Sequence, residues 1–436
     1  METKPTYSEL LADMNNLWAP CLSQDWPNLP VDRAEGVYVY GHDGRRYLDF
    51  VSGFGATNAG HNHPKIVAAA RAQMDRMVHA PLGMYAPETT LRLAYELGKV
   101  TPGKADMFFF GNSGTEAVEG SLKLARYVTG RRAIVAFYGA FHGRSMGSAT
   151  ITTSKVKYRN RQGPFLPDVY FARFPYPYRS TASTVEASVK EALEDIDRLF
   201  EHVIDPQDVA AFILEPVQGE GGYCIAPTQW LKELRRLCDQ HGILLIVDEV
   251  QSGFGRTGEW FASQALGVEP DIICLAKGIA NGFPLGATAA RRDLMKNWGA
   301  TSHGTTYGGN PVSCAAALAT LEVMREENLL EKSRETGTYL MKALKQLQSE
   351  SPIIGDVRGL GMMTGVEFIK PGTDKQPNTE ASNRILKRAL EAGLILYPCG
   401  HWSQTIRLIP PLNITRQQLD EGLEIFRKAV LSENNR

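Results

Sequence analysis

Between residues 105 and 290, short apolar runs alternate with longer stretches of helical periodicity. The runs are Met107–Phe110, Ala133–Phe137, Ala210–Leu214, Ile243–Val247 and Ile272–Leu275. Each is apolar throughout instead of alternating with polar residues, so both faces of the strand must be covered. That is the pattern of parallel strands lying between layers of helices, and it predicts an α/β core around a mostly parallel sheet. After residue 312 the pattern changes to a long helical stretch, Ala315–Leu347, strand-like Gly361–Phe368, a helix near Ala381–Ala392, and strands near Ile395 and Ile406. This reads as a smaller α+β domain. Nearer the start, strand-like Gly36–Tyr40 and Tyr47–Phe50 flank His42-Asp43-Gly44, a hairpin turn. The expected organisation is a segment 1–54 packing with the small domain, a large domain 55–312 and a small domain 313–436. Lys370–Thr379 reads as an exposed loop.

Composition narrows the classes. The 436 residues carry 47 Lys+Arg against 48 Asp+Glu, a net charge of −1. Such neutrality removes the electrostatic reason to expect a nucleic-acid or membrane-surface partner. No apolar run approaches the roughly 18 residues of a membrane span, and Met1-Glu2-Thr3-Lys4-Pro5 lacks the segments of a signal peptide, so the expected compartment is the cytoplasm. Six cysteines are scattered without a short spacing, which predicts free buried thiols. Glycine, at 41 residues, exceeds the average of about 7%. Gly111, Gly139, Gly219, Gly253 and Gly278 follow the apolar runs closely. Open parallel sheets bind ligands beyond the carboxyl ends of their strands, so these glycines gather at one crevice.

Three strand ends carry candidate chemistry. In Phe110-Gly-Asn-Ser-Gly-Thr-Glu-Ala117 a strand turns into a helix, whose free N–H groups with the Ser113 and Thr115 hydroxyls could hold a phosphate or simply cap the helix. Ile243 to Gln251 ends an apolar strand in Asp248 and Glu249, with Asp248 and Val250 on one side of an extended chain. Such an acid either meets a cationic partner or caps the next turn. Ile272 to Gly278 ends a buried strand in Lys277, where desolvation favours a nucleophilic amine and Schiff-base chemistry. The plain alternative is a lysine reaching from the strand end to water.

Two further patterns lead elsewhere. Gly253-Phe-Gly255-Arg-Thr-Gly258 matches the dinucleotide fingerprint, but the acid at the right spacing, Asp271, begins its strand and so stands at the wrong edge of the sheet. The nicotinamide dehydrogenase reading is set aside on that ground. His61-Asn62-His63 has no third ligand at a zinc-like spacing, and a loop turn is preferred to a metal site.

Phosphate turn, strand-end Asp and strand-end Lys, in this order, resemble the fold-type I pyridoxal-phosphate enzymes. More narrowly the chain resembles the class III aminotransferases, through Leu48-Asp-Phe50, Gly60-His-Asn-His-Pro64, Gly111 to Ala117, Phe141-His-Gly-Arg144 and Glu215-Pro-Val-Gln-Gly-Glu-Gly-Gly222. The series continues with Asp248 to Gly253, Lys277-Gly278, Gly304 to Pro311, Gly355 to Gly361 and Arg407 to Pro411.

The resemblance implies pyridoxal 5′-phosphate as cofactor, with Lys277 joined to it as a Schiff base and shuttling a proton, and Asp248 pairing with the ring nitrogen. Ser113, Gly114 and Thr115 would take the phosphate. Val250 and Phe141 would press the two ring faces, with Gln251 on the phenolic oxygen and His142 and Glu215 among the cofactor contacts. Thr305 and Thr306 would reach the cofactor of a neighbouring subunit, implying a homodimer or a tetramer built from it. For substrates, Arg407 would clamp the carboxylate beside the reacting carbon, Glu220 would pair with Arg407 and release it, and Arg144 would take a carboxylate at the far end. Phe54 stands where ornithine-type members carry a tyrosine, which argues against ornithine as donor. The implied activity moves an amino group from an ω-amino acid such as 4-aminobutyrate, or an amine, to an α-keto acid or aldehyde. A racemase or epimerase of the same family is the nearest rival, ahead of a decarboxylating transaminase.

Overall fold

The computed structural model describes residues 4–22 and 28–434. Its centre is a seven-stranded sheet, in the spatial order Met107–Gly111, Gly286–Ala290, Ile272–Leu275, Leu244–Asp248, Val209–Leu214, Ala133–Phe137, Val169–Ala172. All pairings are parallel except those of Gly286–Ala290, which runs antiparallel to both neighbours. Successive residues of the apolar runs enter opposite layers. Leu245 and Val247 pack in one hydrophobic cluster with the helices Val185–His202 and Thr228–His241, whereas Leu244 and Ile246 pack in another with the helix Gly114–Thr129. Burial on both faces is why these strands read as continuous apolar runs.

Two strands of this sheet were not foreseen. Val169–Ala172 closes an edge and is only partly buried, and Gly286–Ala290 is too rich in Gly and Ala to signal a strand. The stretch expected as one helix from Ala315 to Leu347 is two, Pro311–Glu326 and Leu329–Glu350, because Asn328 adopts a left-handed conformation with φ 52°.

A second, four-stranded sheet holds Ile354–Leu360, Met363–Phe368, Thr405–Leu408 and Tyr397–Cys399, with the helices Thr379–Glu391 and Arg416–Leu431 in the same lobe. The N-terminal strands Tyr38–Gly41 and Arg46–Asp49 form a hairpin, and Arg46–Asp49 pairs in parallel with Leu394–Ile395. Phe50 O then accepts from Ile409 N at 2.8 Å, so the chain leaves this hairpin alongside Arg407.

The remaining patterns find structural partners. Gly255 and Gly258, with φ of 82° and 93°, turn the loop so that buried Arg256 donates to Pro410 O at 2.6 Å and Asn58 Oδ1 at 2.7 Å. Asp271 sits at the opposite end of the sheet from the strand-end crevice, paired with Arg235 at 2.8 Å and Arg291 at 2.5 Å. His61 is 2.8 Å from Asp49 and His63 is 2.8 Å from Glu327. Of the cysteines, all free, five are buried and Cys21 is exposed, which corrects the expectation of six buried thiols. No helix among the described residues is long and apolar enough to cross a membrane.

Candidate active site

The carboxyl ends of the parallel strands open into a cavity of about 460 Å³. One wall begins at Gly111, where the chain turns into the helix Gly114–Thr129. Ser113 caps that helix, accepting from Glu116 N at 3.3 Å and donating to Glu116 Oε2 at 2.9 Å, and it also lines the cavity. Cap and cavity wall are therefore one arrangement. Gly114 is required for packing: a Cβ there would lie 2.8 Å from Val250 Cγ1. Thr115 Oγ1 sits 2.6 Å from both Ser145 Oγ and Ser148 Oγ. The result is a helix N-terminus with hydroxyls gathered around it, a ready anion site.

Asp248 ends its strand buried, with Oδ2 2.8 Å from His142 Nδ1 and Oδ1 accepting from Val250 N at 3.0 Å. Glu215, at the end of the adjacent strand, accepts from Phe141 N at 2.8 Å and Gly219 N at 2.9 Å, so it fixes two loops of the cavity. Burial pushes the Glu215 carboxyl up to about 7; nearby Asp248 adds to the rise, while His142 opposes it. Lys277 follows its strand with φ 49° and lines the cavity. Burial pulls its pKa below the usual lysine value, against the opposing pull of Asp248 and Glu215. Gln251 Nε2 donates to Phe54 O at 3.3 Å, leaving buried Oε1 without a partner.

Arg407 is fully buried on the strand Thr405–Leu408 and pairs through Nη2 with Glu220 Oε1. Burial opposes its charge, yet Glu220 more than offsets that and holds the guanidinium well above its ordinary pKa. Its Nε and Nη1 have no partner among the described residues. For Glu220, burial raises the carboxyl, but Arg407 and Lys155 outweigh it and the net shift is downward. Phe54, Tyr223 and Tyr397 surround Arg407 at 5.5–6.0 Å from ring centroid to guanidinium carbon. Arg144 is exposed at the cavity edge, its guanidinium 4.6 Å from the Tyr158 ring centroid.

The cavity thus brings together Phe54, Ser113, Gly114, Thr115, Phe141, His142, Arg144, Glu215, Glu220, Asp248, Val250, Gln251, Lys277 and Arg407. Thr305 and Thr306 do not line it. Thr306 is exposed, and Thr305 Oγ1 accepts from Asn112 Nδ2 at 3.4 Å, just behind the cavity wall. Tyr85 and Trp402 stand outside it and exposed. Tyr158 lines it without having been foreseen, since a lone tyrosine outside every motif carries no pattern, and Asn112 of the Gly111–Ala117 turn lines it as well.

The residues present suit a flat, anionic carbonyl compound. A strand-end lysine amine, an unpartnered amide oxygen, a strand-end acid and a helix N-terminus all meet one cavity. The model of the family described as aminotransferase class-III matches residues 22–430. The 5-aminovalerate aminotransferase DavT of Pseudomonas putida is 42% identical over 399 residues, 91% of this chain and 92% of that protein. The 4-aminobutyrate aminotransferase GabT of Escherichia coli is 40% identical over 91% and 92% of the two chains. Among solved structures, a thermostable (S)-enantioselective omega-transaminase from Thermomicrobium roseum superposes with a TM-score of 0.91, at 33% identity over 99% of each chain.

The fold and site define a pyridoxal-phosphate-dependent transferase of fold type I. The chain belongs to the class III aminotransferases, and pyridoxal 5′-phosphate is its cofactor.

Proposed function

We propose that this chain transfers the amino group of an ω-amino acid, of 4-aminobutyrate or 5-aminovalerate type, to an α-keto acid. The observation that carries the reading is the buried Arg407–Glu220 pair in a cavity that exposed Arg144 also lines. A donor with no carboxylate beside its amine can enter while Glu220 neutralises Arg407, so no lone buried charge is left behind. Arg144 then meets the distal carboxylate. When the keto acid follows, Glu220 gives way and Arg407 clamps the carboxylate beside the reacting carbon. The names of the two relatives support the same donor class.

Pyridoxal phosphate, when bound, supplies the sink for the electrons left when the substrate carbon loses its proton. Lys277 Nζ takes that proton, and burial favours the neutral amine that can do so. Asp248, held by His142 and the Val250 amide, would pair with the ring nitrogen, and Phe141 and Val250 would flank the ring. Ser113, Gly114 and Thr115 would take the phosphate at the helix N-terminus, and the Gln251 side-chain amide and Glu215 would complete the contacts.

The reading includes a homodimer. Met74, Met77, Val78, Met84, Tyr85 and Tyr307 are exposed large apolar side chains, more than a monomer's surface ordinarily gathers. A groove containing Met74, Val78 and Tyr307 shares Asn112 and Pro284 with the active-site cavity, so a partner seated there would bring Thr305 and Thr306 to a second site. Buried free thiols support a cytoplasmic location.

A half-reaction screen tests the function. The cofactor's absorbance is followed with 4-aminobutyrate, 5-aminovalerate, β-alanine, ornithine, alanine and a chiral aryl amine. Conversion to the pyridoxamine form by the first two is the expected result. Loss of the α-proton of an amino acid without that conversion indicates a racemase, and no conversion with any amine sinks the proposal.

A further inference from the structure

The cavity contains one side chain that touches both substrate-selecting arginine systems. Tyr158 ends the one-turn helix Val156–Tyr158, and its hydroxyl donates to Glu220 Oε2 at 3.2 Å. The other carboxylate oxygen, Oε1, is the one taken by Arg407. The ring of Tyr158 carries the Arg144 guanidinium 4.6 Å from its centroid, and it meets Phe141 edge-on at 5.3 Å and 72°. Burial, with Glu220 adding to it, pushes the phenol far above its ordinary pKa, so the hydroxyl stays a donor.

Glu220 has a choice of cations. Buried Lys155 donates to Ser403 Oγ at 2.9 Å and also pulls electrostatically on Glu220. The pairing with Arg407 therefore gains from a further anchor on the free carboxylate oxygen, and Tyr158 is that anchor. A substrate with a carboxylate beside its reacting carbon must displace Glu220 to reach Arg407, which costs the hydrogen bond from Tyr158 as well as the ion pair. A substrate whose only carboxylate is distal pays neither.

We propose that Tyr158 is a positioning residue for substrate choice: its hydroxyl holds Glu220 on Arg407, and its ring holds Arg144 at the cavity mouth. The inference rests on the aminotransferase reading above and extends it to a residue outside every motif in the sequence.

The test measures binding to the holoenzyme, through the cofactor's absorbance, of two probes. One is 2-oxoglutarate, with a carboxylate beside its keto carbon; the other is valerate, with a single distal carboxylate. Tyr158→Phe keeps the ring and removes the hydroxyl. Its expected effect is a rise of about tenfold in affinity for 2-oxoglutarate relative to valerate, the size of one hydrogen bond to a charged group. In a Glu220→Gln background that shift disappears. Tyr158→Leu, which also removes the shelf under Arg144, additionally weakens valerate. An unchanged ratio, an equal change for both probes, or a shift that survives in Glu220→Gln overturns the proposal. The readout needs no turnover, so an enzyme that shows the shift yet converts no donor refutes the aminotransferase reading alone.

Discussion

The reactivity proposed for Lys277 follows from its position. The lysine leaves a fully buried strand, bends into a left-handed backbone conformation, and ends in the cavity within electrostatic reach of Asp248 and Glu215. Lys277→Ala is expected to abolish the cofactor's near-visible band and to lower transamination by more than about a thousandfold, which absorbance and a coupled assay will show. Asp248→Asn should keep the cofactor bound but lower the rate about 10²–10³-fold, since the ring loses a charge aimed at it. Retention of full activity would refute that role. Glu215 carries a stability signature. Its carboxyl titrates near 7 in the folded chain against about 4.5 unfolded, so the folded state holds the extra proton between these values. Its stabilising contribution is full below about 4.5 and is lost as the pH rises to about 7. In cofactor-free protein, thermal melts should show wild type losing stability relative to Glu215→Gln across that window, by up to about 3 kcal/mol. A constant difference would refute it.

At the level of elements, the sequence was legible where burial is two-sided or a turn demands a special residue. The five apolar runs became strands because both faces are covered, and Gly114 marks the close approach of a helix to Val250. Gly114→Ala should weaken cofactor affinity by at least about tenfold through overpacking while leaving the fold intact, as measured by cofactor titration and circular dichroism. Gly286–Ala290 was illegible for a physical reason. It is squeezed between the strands Met107–Gly111 and Ile272–Leu275, and a side chain on Gly286 would overlap the Ser113 carbonyl, so small residues replace the usual strand formers. Tyr158 was illegible because its significance comes from what it touches. Glu220, Arg407 and Arg144, by contrast, lie inside long motifs, although only the structure shows the first two paired and the third above Tyr158.

At the scale of the whole molecule, the proposed homodimer would cover the groove that holds Met74, Val78 and Tyr307. Replacing Met84 and Tyr307 together by Asp is expected to give a monomer by analytical ultracentrifugation, with transamination lost because Thr305 and Thr306 no longer reach a partner's site. A fully active monomer would refute shared sites. The parallel pairing of Arg46–Asp49 with Leu394–Ile395 bears on biosynthesis. The two halves of that pair leave the ribosome about 350 residues apart, so at 5–20 residues per second the early strand waits roughly 20–70 s for its mate. Throughout that interval the hairpin Tyr38–Asp49 presents an open edge to the crowded cell, and Arg407, which completes the substrate cavity, has not yet been made. The nascent chain is thus inactive until the segment carrying Arg407 emerges, and the open strand edge persists through most of synthesis.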